Sequence, residues 1–128
     1  MREEHLQASE KLVETVVEGI HQVKGLDVVS LQMNDLEHAF CDYFVICHGG
    51  SNTQVDAIAD SVQETVRKEA HQKPWHKEGL NNSNWVLLDY GDVLVHIFQK
   101  EYRDFYKLED LWADATSKRY EDTVTKKS

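Results

Sequence analysis

Residues 85–98 read WVLLDYGDVLVHIF, with ten apolar or aromatic side chains in fourteen and two carboxylates, Asp89 and Asp92, on either side of Tyr90 and Gly91. Trp85 to Asp89 and Val93 to Phe98 are apolar at odd and even positions alike, the pattern of interior strands covered on both faces. Tyr90, Gly91 and Asp92 supply a tight connection between them, so the stretch predicts a strand hairpin inside a sheet. The aspartates at its turn read in three ways: as a metal-binding pair, as turn chemistry, or as part of a surface that a partner recognises.

Outward from the hairpin, the other elements follow from period and punctuation. Leu6, Leu12, Val13, Val16, Val17, Ile20 and Val23 recur at helical spacing, and Gly25 is a natural stop with Lys24 at the negative end of the dipole. LDVVSLQM and DYFVIC are short and rich in β-branched or aromatic residues, as strands are. After HGGSNTQ, residues Val55, Ile58, Ala59, Val62 and Val66 repeat with helical period until KPW, and Ser51, Asn52 or Thr53 caps that helix. WHKEG adds a short strand and NNSN a loop. KEYRDFYKLEDLW sets Tyr102, Phe105, Tyr106, Leu108 and Trp112 near the spacing of one last helix. ATSKRYEDTVTKKS has no apolar period and reads as charged and frayed. The order predicts an α/β fold, a mixed β-sheet with packed helices. The same reading predicts a single domain over residues 1–115 and a flexible C-terminal tail over residues 116–128.

At 128 residues the chain is long enough to close one hydrophobic core without disulfides or metal staples. Three Trp, five Tyr, four Phe and a single Pro are globular composition. With 23 acidic against 14 basic residues the formal net charge is -9, and the densest basic groupings are only Arg67-Lys68 and Lys118-Arg119. That balance disfavours direct nucleic-acid binding and suits a basic protein partner. No run approaches the ~20 apolar residues of a membrane span, and MREEHLQASEK lacks the apolar core of a signal peptide. A soluble, cytoplasmic protein is expected. Cys41 and Cys47 have no zinc or redox spacing and read as small buried hydrophobes.

Gly49 to Ser51 open a helix near strand-end carboxylates, the logic by which nucleotidyltransferases bind phosphates and metal. Asp56 and Asp60, however, are four apart on the helix itself. Asp89 and Asp92 are three apart, which on a regular strand points them to opposite faces. No lysine follows GGS as in a P-loop, and G-x-S-x-G is absent. His96 and His48 lie in strands without an evident nucleophile, and His71 and His76 lack metal-ligand spacing. No catalytic residue, metal site or cofactor is assigned. What remains is a patch of Trp85, Asp89, Tyr90 and Asp92, either a protein-binding site of aromatic anchors beside orienting carboxylates or a core tryptophan next to an ordinary turn.

DYFVICHGGSNTQVDAIAD, Glu78-Gly79, WVLLDYGDVLVHIF and RDFYKLEDLWADA, in that order over Leu26 to Ala115, resemble the ribosomal silencing factor family, RsfS, also called Iojap. Thr53 departs from it, since many relatives carry a basic residue there. The resemblance implies a nucleotidyltransferase-like fold lacking the catalytic carboxylates, and a non-enzymatic role. That role is binding large-subunit ribosomal protein fourteen at the subunit interface, so that the small subunit is sterically blocked and translation falls when nutrients are scarce. It places Trp85, Asp89 and Tyr90 at that interface with Gly91 and Asp92 beside them and Glu78 on the neighbouring segment. It also permits a homodimer of the free protein. A large-subunit assembly or maturation factor using the same docking site, and a metal-dependent nucleotidyltransferase, are the alternatives.

Overall fold

The computed structural model describes residues 2–122, with the side chains of 3–122. The chain runs α1 (Arg2–Gln22), β1 (Leu26–Gln32), β2 (Tyr43–Gly49), α2 (Asn52–Ala70), β3 (His76–Glu78), β4 (Trp85–Asp89), β5 (Val93–Gln99), α3 (Lys100–Tyr106), α4 (Leu108–Leu111) and β6 (Thr116–Tyr120). The strands form one mixed sheet in the order β3-β4-β5-β2-β1-β6. Only β2 and β5 pair in parallel, the arrangement that needs a long crossover, and α2 supplies it. The β4–β5 ladder is antiparallel, as a hairpin must be, with Trp85 opposite Phe98 and Asp89 opposite Leu94.

Two cores result, one on each face of the sheet. On the first, α1 and α2 bury Leu12, Val13, Val16, Val17 and Ile20 together with Val55, Ile58, Ala59, Val62 and Val66, over Val45, Val86, Leu88, Val95 and Ile97. These are the positions that the helical period selects. On the second face, a smaller cluster of Val29, Leu31, Met33, Cys41, Phe44, Ile46, Phe98 and Leu108 is covered by α3, α4 and the segment between β1 and β2. Arg103 pins this thinner layer from inside. Its guanidinium donates to Glu109 Oε2 at 2.6 Å and to the Asp27 carbonyl at 2.7 Å, and it bonds His48 Nδ1 at 2.9 Å. Burial, with Arg103 second, holds the His48 pKa below its ordinary value.

Several expectations are corrected. Strand β5 is enclosed on both sides, but β4 alternates, with Val86 and Leu88 buried and Trp85, Leu87 and Asp89 half-exposed. On the second face α3 packs over β5 and β2 and reaches β4 through Tyr106 against Trp85, while β3 at the edge is exposed throughout. The last helix is broken in two at Lys107, whose φ of 49° is left-handed and ends α3. α1 ends at Gln22, and it is Lys24 (φ 61°), not Gly25, that takes the left-handed turn after it, while the N–H of Gly25 closes onto the Ile20 carbonyl. Most clearly, Thr116–Tyr120 is no tail: it is an edge strand, paired residue by residue with Val28–Gln32 of β1. All but its last side chain are exposed, so apolar period was silent while the backbone ladder and the Tyr120 hydroxyl on Ser30 (3.2 Å) hold it. The rest of the expected tail, 123–128, lies outside the described residues.

Candidate docking surface at the sheet margin

Strand alternation assigns each candidate to a face. Residues opposite one another in register share a face, so Trp85, Leu87 and Asp89 project together with Phe98, His96 and Leu94 of β5 and with His76 and Glu78 of β3. This is the β3–β4 margin of the second face, exposed along β3 and half-exposed along β4. The structure therefore gathers Trp85, Asp89 and Glu78, which are eleven and seven residues apart or fewer, onto one strip.

Trp85 is the anchor of the strip. Its indole stacks on Phe98 at 4.8 Å and meets Tyr106 of α3 at 5.0 Å. Its Nε1–H donates to Nδ1 of His96 at 3.1 Å. An accepting Nδ1 leaves the proton of a neutral imidazole on Nε2, and burial pushes the His96 pKa down to about 4. The ring is thus an uncharged shelf under Trp85, with Phe44 tilted against its other side at 4.6 Å. Trp85 is half-buried between Phe98 and Tyr106, so its ring is part of the second-face packing and part surface.

At the hairpin tip, Asp89 Oδ1 accepts the Gly91 N–H at 2.7 Å, the local turn bond that aspartate favours. Gly91 has φ 87°, and a Cβ there would also press within 3.0–3.2 Å of the Trp75 ring. The Asp92 carbonyl accepts from Asp42 N at 2.8 Å and Tyr43 N at 3.1 Å, clamping the tip to the start of β2. The Asp92 carboxylate stays half-exposed, 3.5 Å from His5 Nε2. Cys41 registers the resulting field: burial pushes its thiol up to about 12, with Asp42, Asp89 and Asp92 adding to the effect against a bond to the Tyr43 carbonyl. Glu78 is exposed and 2.6 Å from His76.

Tyr90 is the site residue that the fold moves away. Its ring turns into the helix-side core, only 3 % exposed, and burial pushes its phenol up to about 12. The structure also brings exposed Trp75 over the tip, half-exposed Leu87 and Leu94 onto the strip, and exposed Tyr106 beside Trp85, none of them among the residues assigned from the sequence. The alternation of β4 was the available signal for Leu87. Trp75 had none, because its place over Gly91 is set by its N–H bonding the Asp89 carbonyl at 2.7 Å.

The Gly-Gly-Ser helix start, by contrast, is occupied by its own capping. Ser51 Oγ accepts from Gln54 N at 3.1 Å and Gln54 Oε1 accepts from Gly50 N at 2.8 Å, so Ser51 is the cap. Asp56 is bonded to the Ser83 hydroxyl. Among the described residues no helix is long and apolar enough to cross a membrane.

The architecture defines the class first: an α/β domain whose mixed six-stranded sheet carries helices on both faces of its central strands and leaves the edge strands β3 and β6 exposed. Residues 6–128 match the family described as "Ribosomal silencing factor during starvation", and the chain belongs to that family. It is similar to the ribosomal silencing factor of Halalkalibacterium halodurans, with 35% identity over 92% of this chain and 99% of that one. The corresponding protein of Bacillus subtilis is 43% identical over 70% of this chain and 74% of its own length. A crystal structure of a protein from Chromobacterium violaceum superposes with a TM-score of 0.76 at 35% identity, covering 81% of this chain and 85% of that one.

Proposed function

We propose that this protein docks on the large ribosomal subunit through ribosomal protein fourteen and blocks the small subunit from joining by occupying its place, without catalysis. The observation that carries the reading is the half-open strip of Trp85, Leu87 and Leu94 beside an acidic tip formed by Asp89 and Asp92. Apolar and aromatic area supplies binding energy, and the carboxylates, with Glu78, select a basic protein patch. Gly91 shapes the tip, and Tyr90 contributes by anchoring it in the core rather than by touching the partner. A chain of net charge -9 is repelled by rRNA, which favours one protein patch over indiscriminate contact. The blocking role and a cytoplasmic location rest on the family membership. Steric blocking needs only occupancy, which affinity and concentration set.

A subunit-joining assay with purified ribosomal subunits tests this. The protein should shift subunits from joined to free particles and sediment with the large subunit. The double variant Leu87→Lys, Asp92→Lys, both positions being partly solvent-facing, should do neither while keeping its circular dichroism. Unchanged sedimentation of the variant would overturn the reading.

A further inference from the structure

We propose that His5, Asp42 and Asp92 form a binding site for a divalent transition-metal ion of the zinc class, joining the start of α1 to the hairpin tip. One donor atom from each of the three lies within 4.8 Å of the others. His5 Nε2 is 2.9 Å from Asp42 Oδ2 and 3.5 Å from Asp92 Oδ1. A tetrahedral zinc with arms of ~2.0–2.1 Å sets its donors about 3.3 Å apart, between those two separations. The third separation, between the two carboxylates, is within 4.8 Å, and rotation of the half-exposed Asp92 side chain can close it.

The donor set is more selective than an acidic patch. Magnesium and calcium take oxygen ligands, whereas an imidazole nitrogen with two carboxylates suits zinc and its neighbours and leaves the fourth position to water. The carboxylates are also positioned by the fold. Asp42 is only 14% exposed, and its Oδ2 accepts from the buried Ser9 hydroxyl at 2.6 Å, an outer bond of the kind that orients metal ligands. Asp92 is fixed relative to Asp42 because its carbonyl receives the Asp42 and Tyr43 N–H groups. A protonated His5 offsets one of the two converging negative charges, and a dication offsets both. The site does not rest on the docking reading, although Asp92 belongs to both.

Isothermal titration of the full, untagged chain with zinc chloride in a non-chelating buffer provides the test. One zinc per chain is expected, together with a rise in melting temperature at saturation. His5→Ala and Asp92→Asn should each weaken binding by at least about tenfold, whereas His76→Ala should leave it unchanged. His5 and Asp92 are half-exposed, so circular dichroism of both variants should match the parent. Absence of zinc uptake, undiminished uptake by His5→Ala, or a loss that follows His76→Ala instead would each overturn the proposal.

Discussion

Trp85 and His96 are joined across the β4–β5 ladder by a single hydrogen bond, indole Nε1–H to imidazole Nδ1 at 3.1 Å, and it links the open strip to the interior. The bond fixes which imidazole nitrogen accepts, and it holds the indole flat on Phe98 instead of free in solvent. In the proposed docking, a tryptophan held in this way would lose less side-chain entropy.

The buried histidine makes stability pH-dependent. The His96 pKa is depressed from 6.5 to about 4, so between those values the unfolded chain binds a proton that the folded one does not. The stabilisation is present above pH 6.5 and is lost as pH falls toward 4, amounting to about 3 kcal/mol at most. Urea midpoints at pH 7.5, 5.5 and 4.5 should fall faster for the parent than for His96→Phe. Parallel curves would refute the assignment.

Two left-handed glycines should differ in tolerance. At Gly79 (φ 87°) a Cβ would run into the backbone carbonyl of Trp85, whereas at Gly91 it meets only the far end of the exposed Trp75 ring. Both alanine variants carry the positive-φ penalty of about 1–2 kcal/mol. Gly79→Ala should cost clearly more, because backbone must shift. Thermal unfolding of the pair, with Gly79→Ala melting below Gly91→Ala, checks the order.

Removing β6 should be costly although it is almost wholly exposed. A chain ending at Ala115 bares the β1 edge from Val28 to Gln32 and strips the Ser30 hydroxyl of Tyr120. The expected outcome is a lower melting temperature and concentration-dependent association, measured by light scattering, since unpaired edges template pairing. A truncated chain as stable and monomeric as the parent would show the strand to be dispensable.

Docking driven by the acidic tip should be salt-sensitive. Asp89→Asn keeps an oxygen for the Gly91 N–H but removes charge, and it should slow association with the large subunit while changing dissociation little. Its association rate should also depend less steeply on ionic strength. Identical salt dependence in parent and variant would remove the electrostatic part of the argument.

Helical period in residues 6–23 and 55–66, β-branched runs and the Tyr90-Gly91-Asp92 turn were enough to place α1, α2 and the first five strands, because each signal is local. The ordering of the motifs also carried the family. Three things were not local. β6 is an exposed TSKRY with no apolar signature, and only the free edge of β1 makes it a strand. The turn at Lys107 splits what spacing alone reads as one helix.

The third is the site itself. The sequence by itself determined that Trp85, Asp89, Tyr90 and Asp92 sit around one hairpin, since turn chemistry and strand length are written in the chain. Which of them face outward was decided by tertiary packing. Two long helices bury the β4 side chains on one face, while two short ones on the other leave Trp85, Leu87 and Asp89 half-exposed. Trp85 and Asp89 therefore reach the surface, and Tyr90, one residue further, is turned into the core.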